Sequence, residues 1–222
     1  MPAAGLVGSC PAPMISTDEA RQLYRGSDAV HDFDHILRVL RLAERIAEAE
    51  GADLSIVRSA ALLHDLGRHE AQSAGADHAV VAANHARQIL SNSPRVQVEA
   101  VVHAIATHRF RTDPDPTTLE AKVLFDADKL DAIGAIGVAR AFAYAGAHGQ
   151  RLWVPRASVN IDRWRTQGDD PDAHTPVHEF VVKLSRIKDR LYTETGRRIA
   201  AARHAEMVAF FERLSDEVQG IA

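Results

Sequence analysis

Apolar residues in this chain recur three and four positions apart, and alternating β-branched runs are scarce, so the pattern predicts helices throughout. Ser16 or Thr17 can cap a short helix reaching about Tyr24, with Asp18 and Glu19 suited to its first turn. Asp34 can cap a second helix, along which Ile36, Val39, Leu40, Ala43, Ile46 and Ala47 fall at helical spacing before Gly51 ends it. Asp53 can cap a third, with Val57, Ala60, Ala61 and His64 on one face and Gly67 as its stop. A fourth is expected from about Asp77 to Leu90. A fifth follows Pro94, with Val98, Val101, Val102 and Ile105 facing inward. After the proline-broken loop RTDPDPT (111–117), residues 118–147 read as two helical halves, with Gly134 and Gly137 easing a bend or close packing. The stretch from about 149 to 176 holds Trp153, Trp164, Gly168 and several prolines, and is expected to be an irregular excursion over a site. Two amphipathic helices, about 177–192 and 195–218, close the chain.

Composition narrows the class. The 222 residues are 46% hydrophobic, enough for one sizeable core, and abundant alanine with only 5% aromatics again favours helix. The period changes little from end to end, so residues 16–222 are expected to form a single domain behind a loose arm at 1–15. That arm lacks a basic region and a long apolar run, so it does not read as a signal peptide. No apolar run approaches about 18 residues, so no membrane span is expected. A net charge of −4 disfavours duplex nucleic acid or an anionic membrane as partner. An anionic substrate therefore needs a local positive site such as a metal. The single cysteine, Cys10, excludes an intrachain disulfide and fits a cytoplasmic location.

The chemistry lies in polar residues on apolar faces. His35 lies on the side of Val39, Leu42 and Ile46, and His64 continues the stripe of Val57, Ala60 and Ala61. Asp128 follows Leu124 by four residues, and Asp65 adjoins His64 at a helix end. A buried ionised carboxylate costs several kcal/mol unless paired or metal-bound. These residues therefore point to two imidazoles and two carboxylates around one cation. A mixed set of this kind suits Mn²⁺, Co²⁺, Ni²⁺ or Fe²⁺, whereas all-oxygen ligation would favour Mg²⁺. A closed zinc site is disfavoured because sequence-local Cys/His clusters are absent.

The order H…HD…D, with His35 in HDFDHILRV, His64 and Asp65 in ALLHDLG, and Asp128 in FDADKLDAIG, resembles the HD-domain phosphohydrolase superfamily. The resemblance implies an all-α, HD-domain-like helical bundle with additional C-terminal helices. It also implies a divalent metal at His35, His64, Asp65 and Asp128. THRF (107–110), residues 118–146 and KDRLYTETGRR (188–198) look like a subgroup of small stand-alone bacterial HD hydrolases linked to nucleotides, including pyrophosphate release from nucleoside triphosphates. On that reading Asp65 and Lys129 serve catalysis. His78, His108, Arg109, Arg140 and Arg197 are candidate substrate contacts, and His78 and His108 are alternatively ligands of a further cation. Lys188 and Arg198 lie in the same matching segments. His31, His69, His85 and His103 are read as surface or supporting residues, and His148, His174, His178 and His204 as structural. There is no GYP signature of the cyclic-dinucleotide branch. Arg68 stands where the nucleotidase branch has glutamate, three residues after the HD aspartate, and a second domain of the kind found in alarmone synthetase–hydrolases is not expected. The competing readings are a nucleoside monophosphate phosphatase and a non-catalytic nucleotide sensor. The partner expected is a small nucleotide, with a homodimer as the candidate assembly.

Overall fold

A computed structural model describes residues 14–24, 33–109, 115–162 and 174–222. Among these residues there is no strand; the elements are α-helices and short 3₁₀ turns. In chain order the helices are α1 (Thr17–Leu23), α2 (Phe33–Glu50), α3 (Leu54–Leu63), α4 (Arg68–Ala74), α5 (His78–Ile89), α6 (Arg95–Ala106), α7 (Leu119–Asp131), α8 (Gly134–Ala147), α9 (Pro176–Val182) and α10 (Glu194–Val218).

Local chemistry explains the boundaries. Ser16 caps α1 in a reciprocal pair with Glu19, and Asp53 and Asp77 accept from the first free amides of α3 and α5. Pro94 is the residue before α6 rather than within its first turn. Gly67 does more than end α3. At φ +75° it turns the chain directly into α4, and a Cβ there would lie 2.8 Å from the His85 ring. Helix α4 was not foreseen, because it is seven residues long and buries only Ala71. The segment read as one helix over 177–192 divides into α9 and a 3₁₀ stretch, Leu184–Arg190, with Lys183 leaving helical geometry at the joint.

Helix α7 is the centre of the molecule. It packs on α2, α3, α6 and α10, and Val123, Leu124, Phe125, Ala127 and Leu130 on it are fully buried. Helix α8 leaves α7 at 60° through Gly134, and packs against α9 and α10. No single described helix is long and apolar enough to cross a membrane. One cluster of buried apolar side chains runs from Ile15 to Phe211. The last two residues of the loose arm expected over 1–15 are held against the core. Ile15 is buried and the Met14 amide donates to Ser59 Oγ at 3.0 Å, while residues 1–13 lie outside the described residues. Most of RTDPDPT, the central part of the 149–176 excursion, Cys10 and His31 also lie outside them. The described part of the excursion packs Trp153 and Val154 against the core.

Candidate metal centre

The candidate ligands come from helix ends around α7. His35 lies in the first turn of α2, His64 caps the C-terminus of α3, and Asp65 follows in the turn closed by Gly67. His78 opens α5, His108 follows the end of α6, and Asp128 and Lys129 project from α7. Seven side chains from five segments, six candidate ligands and Lys129, therefore meet at one place.

Their reacting atoms face each other. His35 Nε2 lies 3.7 Å from Asp65 Oδ2 and 3.5 Å from Asp128 Oδ1. His64 Nε2 lies 4.0 and 3.9 Å from the same two oxygens. The other Asp65 oxygen, Oδ1, faces His78 Nε2 at 3.6 Å and His108 Nε2 at 3.9 Å. Two cation-sized groups result, His35–His64–Asp65 and Asp65–His78–His108, with Asp65 common to both. Asp128 adds a fourth ligand atom, a second oxygen, to the first. It is half-buried; the fully buried carboxylates of α7 are Asp126 and Asp131.

The donor set fits a divalent cation. His64 Nδ1 donates to the Ala61 carbonyl at 2.8 Å and His108 Nδ1 to the Ile105 carbonyl at 2.6 Å. His35 Nδ1 donates to Asp131 Oδ2 at 2.8 Å. An imidazole that donates through Nδ1 presents a lone pair at Nε2. His35 and His64 aim these lone pairs at each other across 3.4 Å, and His78 and His108 bring their Nε2 atoms to 3.3 Å. Facing lone pairs repel unless a positive charge lies beside them.

Charge states agree with this. Burial opposes ionisation of Asp65, but His64, Arg68 and His35 outweigh it and hold the carboxyl far below the usual range. Asp128 is likewise held down, with Lys129, His64 and His35 overcoming burial. Burial pushes His78 down to about 4 and His108 to about 3, and lowers His64 as well, so these rings are neutral donors at pH 7.

The expected cationic contacts separate into near and far groups. Lys129 Nζ is 2.6 Å from Asp128 Oδ2 and therefore lines the cluster. Arg109 pairs with Asp77, Arg140 with Asp131, and Arg197 donates to the Leu191 carbonyl. Two residues were missed. Arg68, noted only as a departure, holds both Asp65 oxygens through Nη1 at 2.8 and 2.9 Å. Asp131 orients His35; its only sequence signal was a carboxylate one helical turn beyond Asp128. His85 pairs with Glu70, His103 Nε2 meets the Thr117 hydroxyl, and His69 is exposed.

The HD domain family model matches residues 32–133. YpgQ of Bacillus subtilis is 35% identical over 86% of this chain and 86% of its own. Its crystal structure superposes with a TM-score of 0.69 over 93% of this chain and 97% of that one. YpgQ in complex with ADP gives 0.68 at 31% identity, over 93% and 100%. A predicted HD superfamily hydrolase from an uncultured Thermotogales bacterium gives 0.62 at 30% identity, covering 90% of each chain. The chain belongs to the HD domain family, among its stand-alone hydrolases of similar size.

Proposed function

We propose that this HD-superfamily hydrolase cleaves nucleoside triphosphates to monophosphate and pyrophosphate, with His35, His64, Asp65 and Asp128 holding a divalent cation. The observation that carries the metal-dependent part is the convergence of Nε2 lone pairs and carboxylate oxygens on Asp65. The ADP bound by YpgQ supports a nucleotide as ligand. The sequence likeness of residues 118–146 and 188–198 to nucleotide-linked HD hydrolases supports the pyrophosphate product. The donor set suits Mn²⁺, Co²⁺, Ni²⁺ or Fe²⁺, with Mg²⁺ as an alternative.

A cation bound here would lower the pKa of water and neutralise charge on phosphoryl oxygens. The chain's own residues do the rest. Asp65, ionised and shared between both groups, orients the attacking water. Water adds to the α-phosphorus, the bond from that phosphorus to the αβ-bridging oxygen breaks, and the β and γ groups leave together. Lys129 and Arg68, which among the described residues are the basic side chains ion-paired with candidate ligands, bind the phosphate oxygens and offset the leaving charge. His78 and His108 hold a further cation or contact the phosphate chain. The arginines at 109, 140 and 197 stand farther out.

The test is a nucleoside triphosphate panel assayed with each of these cations, with products resolved by ion exchange. Monophosphate and pyrophosphate in equal amounts are expected. Orthophosphate without pyrophosphate, with no contaminating pyrophosphatase, would turn the reading to a phosphatase. Binding without turnover under any cation would turn it to a sensor.

A further inference from the structure

His64 and His108 are locked by their own helices, each through the carbonyl three residues back. His35 sits in the first turn of α2, where no such carbonyl precedes it within the helix. Its partner is a side chain instead, Asp131, reached from another helix. Asp131 is 1% exposed, and its two oxygens are fully engaged. Oδ1 accepts from Arg38 Nε at 2.7 Å. Oδ2 accepts from His35 Nδ1 at 2.8 Å, Arg140 Nη1 at 2.8 Å and Arg38 Nη2 at 3.1 Å. Arg140 Nη1 also reaches the Asp131 carbonyl, and Arg203 Nη1 donates to the Leu130 carbonyl. The last carbonyls of α7 are thus held by arginines from α8 and α10.

We propose that Asp131 is a positioning residue that fixes His35 in the Nδ1–H tautomer with Nε2 turned toward Asp65 and Asp128, and that Arg38 and Arg140 serve by holding its carboxylate. The hydrogen-bond inventory leaves one tautomer of the neutral ring. An ionised carboxylate only accepts, so the shared hydrogen sits on Nδ1, which in the neutral ring leaves the lone pair on Nε2. Carboxylate partners of this kind set both the tautomer and the ring rotation of a metal-binding histidine. Arg140 then acts through Asp131 and His35 rather than on the substrate. The inference rests on the metal reading above only for its effect on affinity; the tautomer belongs to the apo protein.

The experiment measures His35 ring nitrogen shifts by NMR in ¹⁵N-histidine-labelled, metal-free full-length protein, together with Mn²⁺ affinity by calorimetry. In wild type the Nδ1–H form is expected. Asp131→Ala should move His35 to a mixed tautomer and weaken the first Mn²⁺ by about 10–100-fold. Should that variant fold poorly, Arg140→Ala is expected to give a smaller change in the same direction, with Arg140→Lys restoring it and KM for substrate unchanged in both. A wild-type tautomer in a folded Asp131→Ala protein would overturn the proposal, as would a KM increase without change in affinity for Arg140→Ala. A tautomer shift with unchanged Mn²⁺ affinity would support the positioning role and remove His35 from the ligand set.

Discussion

His64 and His108 take their orientation from backbone in their own helices, whereas His35 takes its orientation from Asp131, 96 residues away. The two sides of the centre are therefore built differently. On the α3 and α6 side, forming the helix already aims the ring. On the α2 and α7 side, the ring is aimed only after α2, α7 and α8 have packed, because Arg38 and Arg140 must reach Asp131. The first arrangement tolerates side-chain change around it, and the second concentrates its sensitivity in one carboxylate. Between them lies Asp65, whose Oδ2 faces both His35 and His64 while Oδ1 faces His78 and His108.

Removing that shared residue would erase the distinction. Asp65→Ala is expected to bring metal content and turnover to background together, whereas His78→Ala should leave the His35–His64–Asp128 group loaded. Metal analysis by mass spectrometry alongside activity decides it, and one full equivalent of cation in Asp65→Ala would break the shared-ligand assignment.

A second substitution sharpens the contrast by touching α7 away from the centre. Asp126 is fully buried and accepts from the amides of Tyr192 and Thr193 at 2.9 and 2.7 Å and from the Thr193 hydroxyl at 2.6 Å. It ties α7 to the start of α10. Asp126→Ala leaves those donors without their acceptor, and a loss of about 2–4 kcal/mol in unfolding free energy is expected. Turnover per folded molecule and Mn²⁺ affinity should stay as in wild type at low temperature. Denaturant melts and calorimetry read both, and a tenfold loss of affinity would show that α7 does not separate its two roles.

The smallest effect expected is that of acid on the apo protein. Burial lowers His78 to about 4 and His108 to about 3 in the folded state, from an ordinary value of 6.5. Between those values the unfolded chain binds more protons than the folded one, so stability falls as pH falls. The contribution is complete above pH 6.5 and is lost progressively toward pH 4 and then 3. A drop in Tm of roughly 5 °C or more is expected between pH 7 and 5 by differential scanning fluorimetry. A flat Tm over that range would mean that the neutral imidazoles of the α5 and α6 side are not stabilised by burial.

What the sequence revealed follows the same division between local and distant causes. The caps at Ser16 and Asp53, and the inward stripes of α2, α3 and α6, were legible because each depends on residues within one or two turns. Helix α7 was legible as a helix but its faces were not. It is buried on several sides, so apolar periodicity could not tell the inward Asp126 from the half-buried Asp128. The pairing of Asp131 with His35 needs the packing of α2 against α7, which no local pattern encodes. Helix α4 escaped because a single buried alanine carries no periodicity. The arginines at 140 and 197 were read by likeness of segment, and the structure engages them with Asp131 and the Leu191 carbonyl.

The sharing of Asp65 also bears on the order in which the centre can assemble. Asp65, His78 and His108 span 44 residues of chain, while the other set reaches from His35 to Asp128 and depends on Arg140 beyond it. Closing the shorter loop costs less entropy. A chain emerging from the ribosome would expose Asp65, His78 and His108 together before α7 exists, and could complete the four-ligand set that includes Asp128 only after α8 had followed. Cation uptake during refolding should accordingly be biphasic, with the slow phase tracking the docking of α7.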